Sequence, residues 1–162
     1  MRVLGIDPGT ATTGWGVVWA KDRATNQIVA CGCVKTEANK TLDVRLVEIY
    51  DGIQLIIKKY KPDVVVIEEL FFAKNTKTAI AVGHARGVAM LAGSKMKLPV
   101  FEYTPLQVKQ AVVGYGRAEK NQVQAMLKAI FKCKDIPTQD DTADALAIAL
   151  THIQTRRYRA SA

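Results

Sequence analysis

Four β-branched residues in a row, Val64-Val65-Val66-Ile67, run directly into an acid, Glu68, just after the break at Pro62. An unbroken apolar run of this length suits a strand buried on both faces, which needs helices above and below it, as in a parallel α/β sheet. The flanks supply them. Leu42, Leu46, Ile49, Ile53, Ile56, Ile57 and Tyr60 recur at helical spacing before Pro62, and Thr76 to Ser94 reads as a second helix despite Gly83, Gly87 and Gly93. Pro99 to Tyr103 is a further short strand.

Upstream, Val3 to Asp7, Gly14 to Trp19 and Gln27 to Val34 are strand-like runs with short connectors, the first closed by the turn Asp7-Pro8-Gly9-Thr10. They predict an antiparallel meander. Downstream, Thr104-Pro105 reads as a cap followed by proline at the first helical position. Gly114-Tyr115-Gly116 interrupts, Ala118 to Phe131 is helical again, and a last helix is expected from about Asp140 to Arg156. The order is β-β-β-α-β-α-β-α-α-α. Right-handed crossovers then place the two later strands parallel to the first, predicting an α/β fold with a mixed five-stranded sheet flanked by helices.

The chain has 162 residues, enough to bury roughly two-thirds of its unfolded surface without a disulfide or structural metal. Residues 1–157 are expected to form one domain and 158–162 a flexible tail. No apolar run approaches the roughly 18 residues of a membrane span, and the N-terminus offers no cleavable targeting stretch. The expectation is a soluble, unexported, cytoplasmic protein. Cys31, Cys33 and Cys133 are odd in number, and Cys31-x-Cys33 lacks the spacing of a zinc knuckle, so reduced thiols are expected.

Charge is less evenly spread than its total suggests. The net is +8, yet between Phe71 and Lys134 stand eleven basic residues and two acids, leaving the rest of the chain at −1. A basic block of this kind fits a polyanionic partner, nucleic acid above all; it also fits a merely solvated lysine-rich surface.

Four acids sit where elements end. Asp7 closes the first strand, Glu68 closes the buried strand, and Asp141 and Asp144 share a face in the first turns of the last helix. With 100° per residue, Ile148 falls on the same face as the acids, and Leu146, Leu150 and Ile153 fall opposite. Four clustered carboxylates raise one another's pKa, and two divalent cations would balance them. Oxygen ligands suit Mg²⁺ or Mn²⁺, and a pair of ions about 3.5–4 Å apart suits phosphoryl displacement. Each acid also has a plainer reading: Asp7 as a turn residue, Asp141 and Asp144 as acids favoured at a helix N-terminus.

Five segments together carry a family likeness: GIDPGT at 5–10, VVVIEELFF at 64–72, FEYTP at 101–105, VKQAVVGYGRAEKNQV at 108–123 and DDTADALAIALTH at 140–152. In this order and over nearly the whole chain they resemble the RuvC family of Holliday junction resolvases. The resemblance implies a ribonuclease-H-like fold and a homodimeric, Mg²⁺-dependent endonuclease with two ions per site, Mn²⁺ able to substitute. It implies paired symmetric nicks in four-way junction DNA during recombination and repair, and coupling to a branch-migration complex. The rival readings are another ribonuclease-H-like nuclease on RNA or other branched DNA, and a junction-binding module without catalysis.

Residue by residue, the family's catalytic, metal-holding acids fall on Asp7, Glu68, Asp141 and Asp144, with Glu69 and Asp140 expected not to be ligands. Phe71 matches an aromatic used near the junction centre, and Lys109 and Lys120 match basic positions near the scissile phosphate. Lys74, Lys77 and Arg86 are candidates for tracking backbone phosphates. His152 shares a helix face with Asp141 but lies about 16 Å along the axis; His84 is expected in the core or at an interface. Neither is expected to bind metal. The small residues of the 79–93 helix match the family's dimer helix and equally suit packing on the sheet.

Overall fold

A computed structural model of the chain describes residues 1–22, 25–69, 76–133 and 140–159. Its elements are β1 (Arg2–Asp7), β2 (Thr12–Ala20), β3 (Asn26–Lys35), α1 (Leu42–Tyr60), β4 (Val64–Glu68), α2 (Thr76–Lys95), β5 (Val100–Tyr103), α3 (Pro105–Val113), α4 (Lys120–Phe131) and α5 (Asp140–Arg159). One five-stranded sheet has the order β3-β2-β1-β4-β5. The meander β1-β2-β3 is antiparallel, and β4 runs parallel to both β1 and β5, as the crossovers require. Among the described residues no helix is long and apolar enough to cross a membrane.

The sheet separates two cores. On one face Leu4, Ile6, Val17, Val65 and Ile67 pack with Ile49, Ile53 and Ile57 of α1 and Ala85, Ala89 and Ala92 of α2. On the other, Val3, Val18, Val64 and Val66 pack with α5 and, beyond it, with Val108 and Val112 of α3 and Val123 and Leu127 of α4. Val64 to Ile67 is thus buried on both faces, which explains why no polar residue interrupts it.

The helix ends follow their local chemistry. α1 stops at Tyr60, with Lys61 in the left-handed region at φ 47° and Pro62 behind it. Thr104 caps α3: its hydroxyl accepts from Gln107 N–H, and the Gln107 side chain accepts from Thr104 N–H. α4 begins at Lys120 rather than at Ala118, because Glu119 N–H donates to Gln122 Oε1 at 2.8 Å and fixes the start there. Leu42, expected in the core, is exposed at the first turn of α1.

The last helix departs from the two-faced reading. Helix α5 is buried all round from Thr142 to Ile153, except Asp144, which is only partly covered. The 100° projection set the leucine face against an acid face, but Ile148 is as buried as Leu146. The reason is three-dimensional: α5 crosses β1 and β2 on one side and is roofed by α3 and α4 on the other. Close approach to the sheet depends on missing side chains. A Cβ on Gly5 would stand 2.1 Å from the Ala145 carbonyl oxygen, and one on Gly14 would stand 2.1 Å from the Asp141 carbonyl oxygen.

Candidate active site

Strand register brings the first two acids together. β1 and β4 run in parallel with Ile6 opposite Ile67, so Asp7 and Glu68 end neighbouring strands at the same sheet edge. The backbone after Asp7 is pinned by the buried Thr13, whose hydroxyl donates to Gly9 C=O at 2.7 Å, and by Thr36, which donates to Thr10 C=O at 2.6 Å. Gly14, paired with Asp7 across β1 and β2, lets the start of α5 lie directly over this edge. Asp141 and Asp144 therefore arrive from above.

A cavity of about 220 Å³ opens here, lined by Glu68, Asp144, Lys109 and Lys120, with Pro105, Val108, Val123 and Ala147 as its apolar wall. Asp7 and Asp141 stand beside it rather than in its lining. Larger clefts lie elsewhere, among them one of about 580 Å³ around Met1, Asp63 and Arg156 and one of about 690 Å³ around Leu106, Gln110 and Gln154. The first has Asp22 and Asp63 in its lining together with Arg156 and Arg157, and the second has no carboxylate, so size is no guide to the chemistry.

The electrostatics mark these acids as a group. Burial first, then Glu68, Asp144 and Asp141, push the Asp7 carboxyl up from 3.8 to about 7. Burial and then Asp144 raise Glu68, against the opposing pull of Lys109 and Lys120. Asp144 is raised by burial, while Lys120 pulls it back down. The side chains are electrostatic neighbours and not yet a closed ligand set: among the described residues no three His, Cys, Asp or Glu side chains stand ready to hold one metal ion.

The raised pKa of Asp7 has a measurable consequence. The folded chain holds a proton there up to about pH 7, whereas the unfolded chain releases it near 3.8. Its contribution to stability is therefore complete below about pH 4 and is lost as pH rises through 7. Glu68 and Asp144, also raised, act in the same direction. With chelator present, the melting temperature is expected to fall between about pH 5 and pH 8 and to fall less in Asp7→Asn. A flat or rising profile would contradict the carboxylate cluster.

The acidic doublets resolve by exposure. Glu68 lines the cavity while Glu69 is exposed and only its backbone is engaged, through Glu69 N–H to Tyr103 C=O at 2.8 Å. Asp140 is exposed and pairs with Lys120, and it is not among the acids that raise Asp7. Lys120 is placed between Asp144 Oδ2 at 3.2 Å and Asp140 Oδ2 at 3.3 Å. Burial works against its charge, but Asp144 and Asp140 more than offset that and hold it above its ordinary value.

Sequence reasoning missed this pair of contacts. The one available signal was a lysine at a helix N-terminus, where the macrodipole is unfavourable and acids are needed. It also missed that part of the basic block is spent internally, since Arg86 pairs with Glu102 of β5. Phe71 and Lys74 lie outside the described residues.

Neither histidine joins the site. His84 is exposed on α2, so it is not in the core of the chain. His152 is buried on α5 against the Phe101 ring, its Nδ1 3.1 Å from the Tyr103 hydroxyl. The three cysteines are free, with Cys33 Sγ 3.3 Å from Thr142 Oγ1.

Comparison with known proteins agrees with the geometry. Residues 3–152 match the family described as crossover junction endodeoxyribonuclease RuvC. The RuvC of Desulforamulus reducens is 54% identical over 154 residues, covering 95% of this chain and 94% of its own. That of Caldanaerobacter subterraneus subsp. tengcongensis is 54% identical over 152 residues, covering 94% and 92%. Among solved structures, T. thermophilus RuvC in complex with Holliday junction substrate superposes with a TM-score of 0.93 at 36% identity, over 98% of this chain and 96% of that one. The mixed sheet with its flanking helices is accordingly ribonuclease-H-like.

Proposed function

Because the chain belongs to the RuvC family of crossover junction endodeoxyribonucleases, we propose that it resolves four-way DNA junctions by paired hydrolytic nicks, with Asp7, Glu68, Asp141 and Asp144 as its cation-holding acids. The observation that carries the site is the sheet edge where burial, and then the neighbouring acids, raise the Asp7 carboxyl to about 7. That shift expresses an unmet demand for positive charge, and an all-oxygen donor set fits a hard divalent cation. Asp7, Glu68, Asp141 and Asp144 would hold two divalent cations per site, Mg²⁺ with Mn²⁺ able to substitute, which would supply an activated water and neutralise charge on the leaving oxygen.

The chain's own residues do the rest. Lys109 and Lys120, at the cavity rim, hold phosphate oxygens of the scissile strand and offset charge that develops on them. Pro105, Val108 and Val123 wall one side of the cavity and limit the water that reaches it, which strengthens every charge interaction inside. Phe71 and Lys74, which lie outside the described residues, are carried as DNA contacts by the family match, an aromatic there being suited to stack on an unpaired base at the crossover. A cytoplasmic setting follows from a DNA substrate.

A substrate with two equivalent cuts favours a two-fold enzyme. Helix α2 offers a face for it. Ala85, Ala89 and Ala92 are fully buried on the sheet side, while Ile80, His84, Gly87 and Leu91 form an outward stripe with Ile80 62% and Leu91 56% exposed. We read that stripe as the contact with a second copy.

One experiment addresses both points. With Mg²⁺ and a mobile four-way junction, the chain is expected to nick two opposed strands at symmetric positions and to leave duplex DNA and an RNA–DNA duplex uncut. Light scattering of the same sample at micromolar concentration is expected to give twice the 17.7 kDa of one chain. Equal cutting of the controls overturns the substrate, and a mass of one chain overturns the two-fold.

A further inference from the structure

Lys120 opens α4, where the positive end of the helix dipole disfavours a cation. It is kept there by two acids of α5, Asp144 and Asp140, at 3.2 and 3.3 Å. The two acids are not equivalent. Asp144 lines the cavity. Asp140 is exposed and outside the cavity lining, and its second oxygen, Oδ1, accepts from Gln124 Nε2 at 3.3 Å. Lys120 and Gln124 are one turn apart on α4, so a single carboxylate spans that turn and fastens the start of α5 to the start of α4.

An ammonium and a divalent cation compete for the same carboxylate. With Lys120 on Asp144, the site carries a built-in counter-ion that must yield when a metal arrives. We propose that Asp140 is a positioning residue for Lys120: it retains the ammonium at the cavity rim when Asp144 is drawn to a cation, so that Lys120 clears the metal position yet stays within reach of the phosphate. This rests on the reading of Asp144 as a cation-holding acid. Without Asp140, Lys120 has only Asp144 to pair with, and it obstructs the cation.

The test titrates Mn²⁺ into the full chain without DNA, by calorimetry or electron paramagnetic resonance, and measures cleavage separately at saturating junction. Asp140→Asn is expected to weaken Mn²⁺ binding about 2- to 5-fold, the range of an exposed ion pair. The cleavage rate at saturating junction is expected to fall by a similar factor, with junction affinity unchanged. Asp140→Glu is expected to restore both. Adding Lys120→Met to Asp140→Asn removes the obstructing ammonium and is expected to recover Mn²⁺ binding without recovering cleavage. Gln124→Ala, which loosens the same carboxylate from α4, is expected to shift Mn²⁺ binding less and in the same direction. Unaltered Mn²⁺ binding in Asp140→Asn, or weakening that persists in the double variant, overturns the proposal. Failure of the underlying reading shows differently, as Mn²⁺ binding and cleavage that both survive Asp144→Asn.

Discussion

Asp7→Asn is expected to abolish junction cleavage, by about 10³-fold or more, while binding the junction at least as well as the parent chain. Losing one pre-positioned charged group at a reacting centre typically costs about 10²- to 10³-fold, and Asp7 does more than contribute one charge. It ends the central strand of the five-stranded sheet, beside Glu68 and beneath the start of α5, so an amide there removes the shared member of the acidic edge. Binding should not suffer, because the change deletes a negative charge facing a polyanion. Gel-shift affinity in EDTA and single-turnover cleavage with Mg²⁺ separate the two effects. Comparable cleavage by the variant would remove Asp7 from the catalytic set, and lost binding would make its role structural.

Gly5→Ala is expected to destabilise the chain by about 3 kcal/mol, the upper part of the usual range for overpacking a core. The new methyl group would meet the Ala145 carbonyl oxygen at 2.1 Å and the Ala149 nitrogen at 2.8 Å. Both obstacles are backbone of a helix enclosed on all sides, so no side chain can turn aside to make room. For a domain of this size the melting temperature should drop by about 6–12 °C. Cleavage should weaken further than the melting shift accounts for, because any outward movement of α5 carries Asp141 and Asp144 with it. A melting temperature within about 2 °C of the parent would show that the sheet and α5 can part at little cost.

The antiparallel meander, the parallel placing of the two later strands and the position of the acids at element ends were legible in the chain because each rests on local signals: an unbroken apolar run, proline breaks, and helices between strands. The doublet Glu68-Glu69 could be ranked for the same reason, since a strand alternates its faces, and Glu68 lines the cavity whereas Glu69 is exposed. What stayed hidden depends on neighbours distant in sequence. Lys120 meets Asp140 and Asp144 across the gap between two helices. Arg86 meets Glu102 across a helix and a strand. No spacing rule announces either pairing, so counting charges overstated the free cations of the basic block. The all-round burial of α5 was hidden for a related reason. Periodicity describes one helix and its faces, whereas α3 and α4 roof α5 only once the whole chain has closed.

The enclosure of α5 also divides labour within the enzyme. Asp141 and Asp144 are mounted on a helix buried on every side, and Asp7 and Glu68 end the strands beneath it; these acids loosen only when the domain itself opens. The lysines are mounted differently. Lys120 is half exposed, on a long stem at the first position of a helix. If they meet the substrate as proposed, the accommodation that a bent and variable junction needs would fall to these pliable ammonium groups. On the proposed reading, the carboxylates beneath keep a fixed reference frame, so that accuracy of the cut would reside in the sheet edge and tolerance of substrate shape in the lysines above it.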